Sequence, residues 1–186
     1  VERLCVIGVK KDDEDAGARI GRHLAALGDA VGLGAQLLRN RRAFLVADRK
    51  RTAALRKTIA PGRKRICGLS WFSRNDDIGV HKSIALDALR PLLESPGCRF
   101  VDLQYGDTDA ERAEVLKQGG IDVHRMPDVD TFNDIDGLAA LVDACDVIVT
   151  ISNTTAHLAG ALGKRVFLML PYSVGRFWCW QTGRSD

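Results

Sequence analysis

From residue 66 to residue 170 the chain alternates between two rhythms. Short runs rich in apolar residues, at 66–72, 99–103, 146–151 and 165–170, have the length of buried strands. The run 146–151 is almost continuously apolar, as a strand covered on both faces must be. Ile121-Asp122-Val123 predicts a briefer strand. Between these runs the period becomes helical. Leu86, Leu89 and Leu93 mark one face within 83–93. Residues 107–118 open at an acidic cap and stop at Gly119-Gly120. Leu138, Leu141, Val142 and Cys145 have the i, i+3, i+4, i+7 spacing of a packed helix. Residues 153–162 form another helix, closed by Gly163 where a left-handed residue is favoured. Strand and helix in strict alternation predict an α/β fold, a doubly wound parallel sheet with helices on both faces. Ligands of such sheets bind outside the carboxyl ends of the strands. The loops after 66–72, 99–103, 121–123 and 146–151 are therefore the places to look.

The first 62 residues are patterned less clearly. A strand at 5–9, a helix at 14–27 and a helix at 52–59, broken by Pro61-Gly62, are the elements expected there. They are too few for a complete second sheet domain. No internal repeat or low-complexity tract is present.

Composition narrows the class. The chain is 46% hydrophobic, enough for a real core, and its net charge of +3 gives no case for nucleic acid. Local basic clusters, Arg39-Asn40-Arg41-Arg42 and Arg49-Lys50-Arg51, fit solvated faces. The five cysteines, Cys5, Cys67, Cys98, Cys145 and Cys179, are odd in number and never at CxxC spacing. They read as reduced cysteines of a cytoplasmic protein, and no apolar stretch reaches the length of a membrane span. The start lacks an initiator Met and the end lacks a closing element, so the chain is expected to be a piece of a longer protein.

The sharpest chemical feature is Val147-Ile148-Val149-Thr150-Ile151-Ser152-Asn153-Thr154-Thr155-Ala156-His157. A buried strand enters a helix through four small polar residues, Ser152 to Thr155. The first N–H groups of that helix carry the positive end of its dipole and suit a phosphate, with the Thr154 and Thr155 hydroxyls and His157 close by. An ordinary N-cap has the same spacing, and the pattern alone leaves both readings open. Lys82 lies in a long polar segment before the next helix, where a cation for a diphosphate would stand; a solvated, exposed lysine is the plainer reading. Asp134-Ile135-Asp136 matches a metal-holding DxD pattern but opens a helix, and we read it as a cap. The acidic run 12–15 is read the same way, and Gly32-x-Gly34 lacks the rest of a dinucleotide fingerprint.

At these residues the chain resembles a known family, the glycosyltransferase-like domain that follows tetratricopeptide repeats in many bacterial proteins. That domain is related to the heptosyltransferases and, more distantly, to O-linked N-acetylglucosamine transferase. The matching segments are Gly68-Leu69-Ser70-Trp71, Lys82-Ser83-Ile84 with Leu86 and Leu89, Leu103-Gln104-Tyr105-Gly106-Asp107, Asn133-Asp134-Ile135-Asp136-Gly137, and 152–164. The tail Phe177-Trp178-Cys179-Trp180 resembles the aromatic stretch after the family's last strand. In order, these cover roughly two thirds of the chain.

The resemblance implies two facing Rossmann-like domains, of which this chain supplies the carboxyl-terminal, nucleotide-sugar-binding one at 63–186, truncated at its end. Residues 1–62 would be the remnant of the amino-terminal, acceptor-side domain and its linker. It implies that Lys82, Ser152, Asn153, Thr154 and Thr155 hold the donor diphosphate, with His157 close by, and that the loop leading to Asn133 and Asp134 faces the base or ribose. No metal and no cofactor would be needed, the donor being a nucleoside-diphosphate sugar; the acceptor, whether protein, peptide or glycan, is left open by the sequence. Heptosyltransferases have an acidic residue and a Thr where this chain has Ser152 and Asn153, which leaves open a binding module without chemistry. The family's catalytic bases come from the amino-terminal domain, so none is named here. The apolar end at 177–180 is expected to invite self-association.

Overall fold

The computed structural model describes residues 4–9, 43–62 and 64–171. The helix expected at 14–27, the acidic run at 12–15, the glycines at 32 and 34, the basic residues at 39–42 and the aromatic tail at 177–180 lie outside the described residues, so the expected self-association is left where the sequence put it.

Among the described residues six parallel strands form one sheet: β1 (Leu4–Val9), β2 (Arg65–Ser70), β3 (Cys98–Asp102), β4 (Val123–His124), β5 (Val147–Ile151) and β6 (Val166–Pro171), in the order β1-β6-β5-β2-β3-β4. The helices are α1 (Arg49–Ile59), the single turn α2 (Gly79–Lys82), α3 (Arg90–Leu93) entered through a 3-10 turn at Leu86–Leu89, α4 (Asp109–Gly119), α5 (Ile135–Ala144) and α6 (Thr154–Ala161). This is the Rossmann-like α/β architecture that the alternation predicts.

Side chains on successive strand positions point to opposite faces, and each face has its own core. Ile66, Val101, Ile148, Val166 and Leu168 meet Leu55 and Ile59 of α1, Leu138 and Leu141 of α5, and Ala156 and Ala159 of α6. Cys67, Leu69, Phe100, Val149, Phe167 and Met169 meet Leu86, Leu89, Leu92 and Leu93 together with Val115 of α4. Gly68 sits where the first layer presses closest. A Cβ there would run into Leu103 Cδ1 and come within 2.9 Å of Ile148 Cδ1, so no larger residue fits unaltered.

Several boundaries follow local chemistry. Asp48 caps α1 by accepting from Arg51 N at 2.8 Å. α4 ends at Gly120, whose φ of 64° is the left-handed conformation of a helix C-cap, and Gly163 at φ 69° follows α6 in the same conformation. The helix expected over 83–93 is instead a 3-10 turn running into α3, which has Pro91 in its first turn, where no amide donor is needed. β4 is two residues long, displaced toward His124 from the expected 121–123.

Of the elements described within 1–62, β1 joins this same sheet and α1 packs beside it. β1 extends it at the edge by pairing with β6, Leu4 opposite Val166 through Val9 opposite Pro171. α1 packs on α5, and Arg51 Nη2 donates to Asp134 Oδ2 at 2.6 Å across that contact. No helix among the described residues is long and apolar enough to cross a membrane.

Candidate functional site

The strand order reverses between β2 and β5. From β2 the sheet continues through β3 and β4 on one side, and from β5 through β6 and β1 on the other. The connections leaving the carboxyl ends of two such strands part in opposite directions and open a crevice. Ser70 closes β2 on one side of it, and Ser152 and Asn153 follow β5 on the other.

The turn after β5 is shaped by Asn153. Its side-chain Oδ1 accepts from Ala156 N at 3.3 Å and from Thr150 Oγ1 at 3.1 Å, which caps α6. Its backbone oxygen accepts from Ala156 N at 3.1 Å and His157 N at 3.4 Å. Among the described residues nothing accepts from the backbone N–H groups of Thr154 and Thr155. These are the donors a helix start leaves over, and they point out of the helix end with its positive dipole.

Lys82 arrives from the other side. Its spacing alone favours a solvated loop lysine, and the resemblance a diphosphate contact; it stands at the end of α2, 8% exposed. Its Nζ donates to Ser152 O at 2.8 Å, spanning from the β2 connection to the turn after β5. The reason lies in local packing. Asn75 Oδ1 accepts from Asp77 N and Ile78 N, Gly79 N donates to Asn75 O, and this turn winds the expected loop into α2. Burial lowers the Lys82 pKa, since a charge is less well solvated there. His157, one turn into α6, is also held below its ordinary value, first by burial and second by the Lys82 charge beside it. An ammonium, two unpaired amide donors and an imidazole thus share one small region of the carboxyl edge. The chemistry this group can perform is to receive an anion.

Asn133 and Asp134 sit elsewhere on that edge, in the connection after β4. Asn133 Nδ2 donates to Asp130 Oδ2 at 2.8 Å, and Asp130 Oδ1 accepts from the backbone of Phe132 and Asn133. Both Asp134 oxygens are engaged: Oδ1 accepts from Gly137 N at 2.8 Å as the cap of α5, and Oδ2 pairs with Arg51. The Arg51 hydrogen bond, followed by that from Gly137, holds the Asp134 carboxyl below the usual range. The DxD pattern therefore opens a helix, as read from the sequence. Their side chains bond to Asp130, Gly137 and Arg51. The two regions are bridged by rings: Trp71 against Phe72 at 6.1 Å between centroids, Phe72 against Tyr105 at 5.8 Å, and Tyr105 against Phe132 at 6.1 Å. Phe132, at the outer end of this row, is 69% exposed.

Two buried polar residues that sequence reasoning did not single out hold these loops. Asp102 accepts from Gln104 N and Thr108 Oγ1 and pairs with Arg125 Nη1 at 2.9 Å; burial nonetheless raises its pKa, the hydrogen bonds opposing. Gln104, fully buried, accepts at Oε1 from Ser70 Oγ, Trp71 N and Phe72 N. The signal was a polar pair flanking the end of a strand, at 102 and 104. Their partners, distant in sequence, left no local mark.

No family model matches the chain, and no solved structure matches it. A curated relative, Protein FlbA of Caulobacter vibrioides, is 34% identical over 162 residues, 78% of this chain and 25% of that protein. The chain thus spans about a quarter of that relative's length.

Proposed function

We propose that this chain is the nucleotide-sugar-binding half of a metal-independent glycosyltransferase, which moves a sugar from a nucleoside diphosphate to an acceptor oxygen. The observation that carries the reading is the convergence of buried Lys82 and the start of α6 on Ser152, at the crevice between β2 and β5. A doubly wound sheet offers its ligand site at that crevice, and these groups are of the sign and kind that a diphosphate needs. The sequence resemblance to the glycosyltransferase-like domain of tetratricopeptide-repeat proteins supplies the reaction class.

In this reading the acceptor oxygen attacks the anomeric carbon and the bond from that carbon to the β-phosphate oxygen breaks. Negative charge gathers on the leaving diphosphate, beside Lys82 and the N–H groups of Thr154 and Thr155. The Thr154 and Thr155 hydroxyls and His157 complete the cradle. Asn133, in the connection that the ring row links to β2, faces the base or ribose. The base that takes the acceptor's proton belongs to the amino-terminal domain of the whole protein, and the acceptor is a protein, peptide or glycan handled in the cytoplasm.

The test is calorimetric titration of the chain with UDP-, GDP- and ADP-sugars. Micromolar to millimolar binding of one nucleotide series is the expected result, and failure of every donor would sink the reading. Ser152, 1% exposed where heptosyltransferases carry an acidic residue, favours a second reading: a domain that binds a nucleotide or a protein without chemistry. Hydrolysis or transfer by the whole protein on the same donors would exclude it.

A further inference from the structure

Gln104, Ser70 and Asn153 join three strand ends in one chain of hydrogen bonds. Trp71 N and Phe72 N both donate to Gln104 Oε1, at 2.9 and 3.1 Å. Two backbone donors aimed at one atom settle which end of the amide is there, because an NH2 group would meet them donor to donor. Oε1 is thus fixed as an acceptor, and the Ser70 hydroxyl, 2.9 Å away, must give it a proton. The Ser70 oxygen is then left with lone pairs, and it accepts from Asn153 Nδ2 at 2.7 Å. With its NH2 committed to Ser70, Asn153 turns its oxygen to Thr150 Oγ1 and to Ala156 N. The Thr150 hydroxyl lies within reach of Ile151 O at 3.0 Å as well, and Gln104, Ser70 and Thr150 are fully buried, where an unmatched group is costly.

We propose that Gln104 is a positioning residue for the anion cradle: through Ser70 it fixes the orientation of the Asn153 amide, and so the cap that aims the first N–H groups of α6. The direction of the whole relay is set by two backbone amides of the β2 connection, on the far side of the crevice from the helix it orients. The same amide oxygen holds Phe72 in the ring row, so one residue places both borders of the crevice. This inference rests on the proposed anion site for its consequence, but the orientation of the cap is measurable without any ligand.

The experiment compares the parent 186-residue chain with Ser70→Ala, Gln104→Met and Gln104→Glu. Ser70→Ala removes only the middle of the relay, Gln104→Met keeps the length without an acceptor, and Gln104→Glu keeps the acceptor. Amide hydrogen exchange at Ala156 is read by NMR at a temperature where each variant is folded, and UDP, GDP and ADP are titrated in parallel. Freeing the Asn153 amide to turn weakens one of the two acceptors of Ala156 N, the backbone oxygen of Asn153 at 3.1 Å remaining, and predicts about a two- to tenfold loss of Ala156 protection in Ser70→Ala and Gln104→Met, with most of it retained in Gln104→Glu. Nucleotide affinity should fall alongside, while amides of β6 keep their protection. Should Gln104→Met not fold, Ser70→Ala decides the matter by itself. Parent-like protection of Ala156 in Ser70→Ala would overturn the inference. A parent chain that binds none of the three nucleotides would overturn the proposed function and leave the relay to be judged on Ala156.

Discussion

Replacing Lys82 by Met tests the anion cradle at its cation. Met preserves most of the length and apolar packing of the stem and deletes the ammonium, which suits a side chain only 8% exposed. Two effects on stability oppose each other. Ser152 O loses a charge-assisted hydrogen bond at 2.8 Å, a cost of about 1.5–3 kcal/mol. Against that, a charge is removed from a place where burial already lowers its pKa, which returns part of its desolvation cost. The net change in unfolding free energy should stay within about 2 kcal/mol of the parent. Nucleotide binding has no such compensation. A charge-assisted contact to a diphosphate is worth about 1.5–3 kcal/mol, so affinity should fall roughly ten- to hundredfold. Calorimetric titration of UDP, GDP and ADP, below the melting temperature of both proteins, gives the ratio, and thermal unfolding gives the stability change. Thr155→Val, in the same assay, should weaken binding less, because the backbone donors of α6 remain. Parent-like affinity in Lys82→Met, or a larger loss in Thr155→Val, would refute the cation-plus-helix account.

Other consequences are as direct. Asp134→Ala should lower the melting temperature by a few degrees through loss of the α5 cap, whereas Asp134→Asn, which still caps, should restore most of it; equal melting curves for Asp134→Ala and the parent would contradict the capping role. His157 is held below its usual value of about 6.5 by burial and by Lys82, and a bound diphosphate would raise it again. Nucleotide binding should therefore take up protons around and just below pH 6.5 and tighten as pH falls from about 8 to about 6. Titrations in buffers of different ionisation enthalpy measure the uptake, and an identical uptake in His157→Asn would assign it elsewhere. In the free protein the same lowered pKa means that the unfolded chain binds the proton first, so the contribution of His157 to stability declines as pH drops through about 6.5. Gly68→Ala forces a methyl against Leu103 and Ile148 and should cost about 1–3 kcal/mol in denaturant unfolding; a neutral result would show that the β2 layer can open.

The candidate site was half legible. Ser152 to Thr155 declared themselves because a cap is local: a polar residue, the strand before it and the helix after it are neighbours in sequence. Asp134 was legible as a cap for the same reason. Lys82 was recognisable as a residue but not as a buried one, since its burial depends on the Asn75 turn and on a carbonyl far along the chain. Gln104 stood in a matching segment but was given no role, as its three donors come from the end of β2 and the connection after it, and only the folded sheet brings them to it.

The same division runs through the fold. The sequence by itself determined the parallel sheet and most element boundaries between residues 49 and 171, because periodicity, caps and left-handed glycines are written within a few residues. Strand order is a different kind of fact. That β5 lies beside β2 and opens the crevice, and that β1 joins β6 at the far edge, depends on which faces can be buried together across the chain. Only the tertiary structure decides that, since hydrogen bonds between parallel strands carry no sequence label and the apolar runs of β2, β5 and β6 are alike enough to be exchanged on paper.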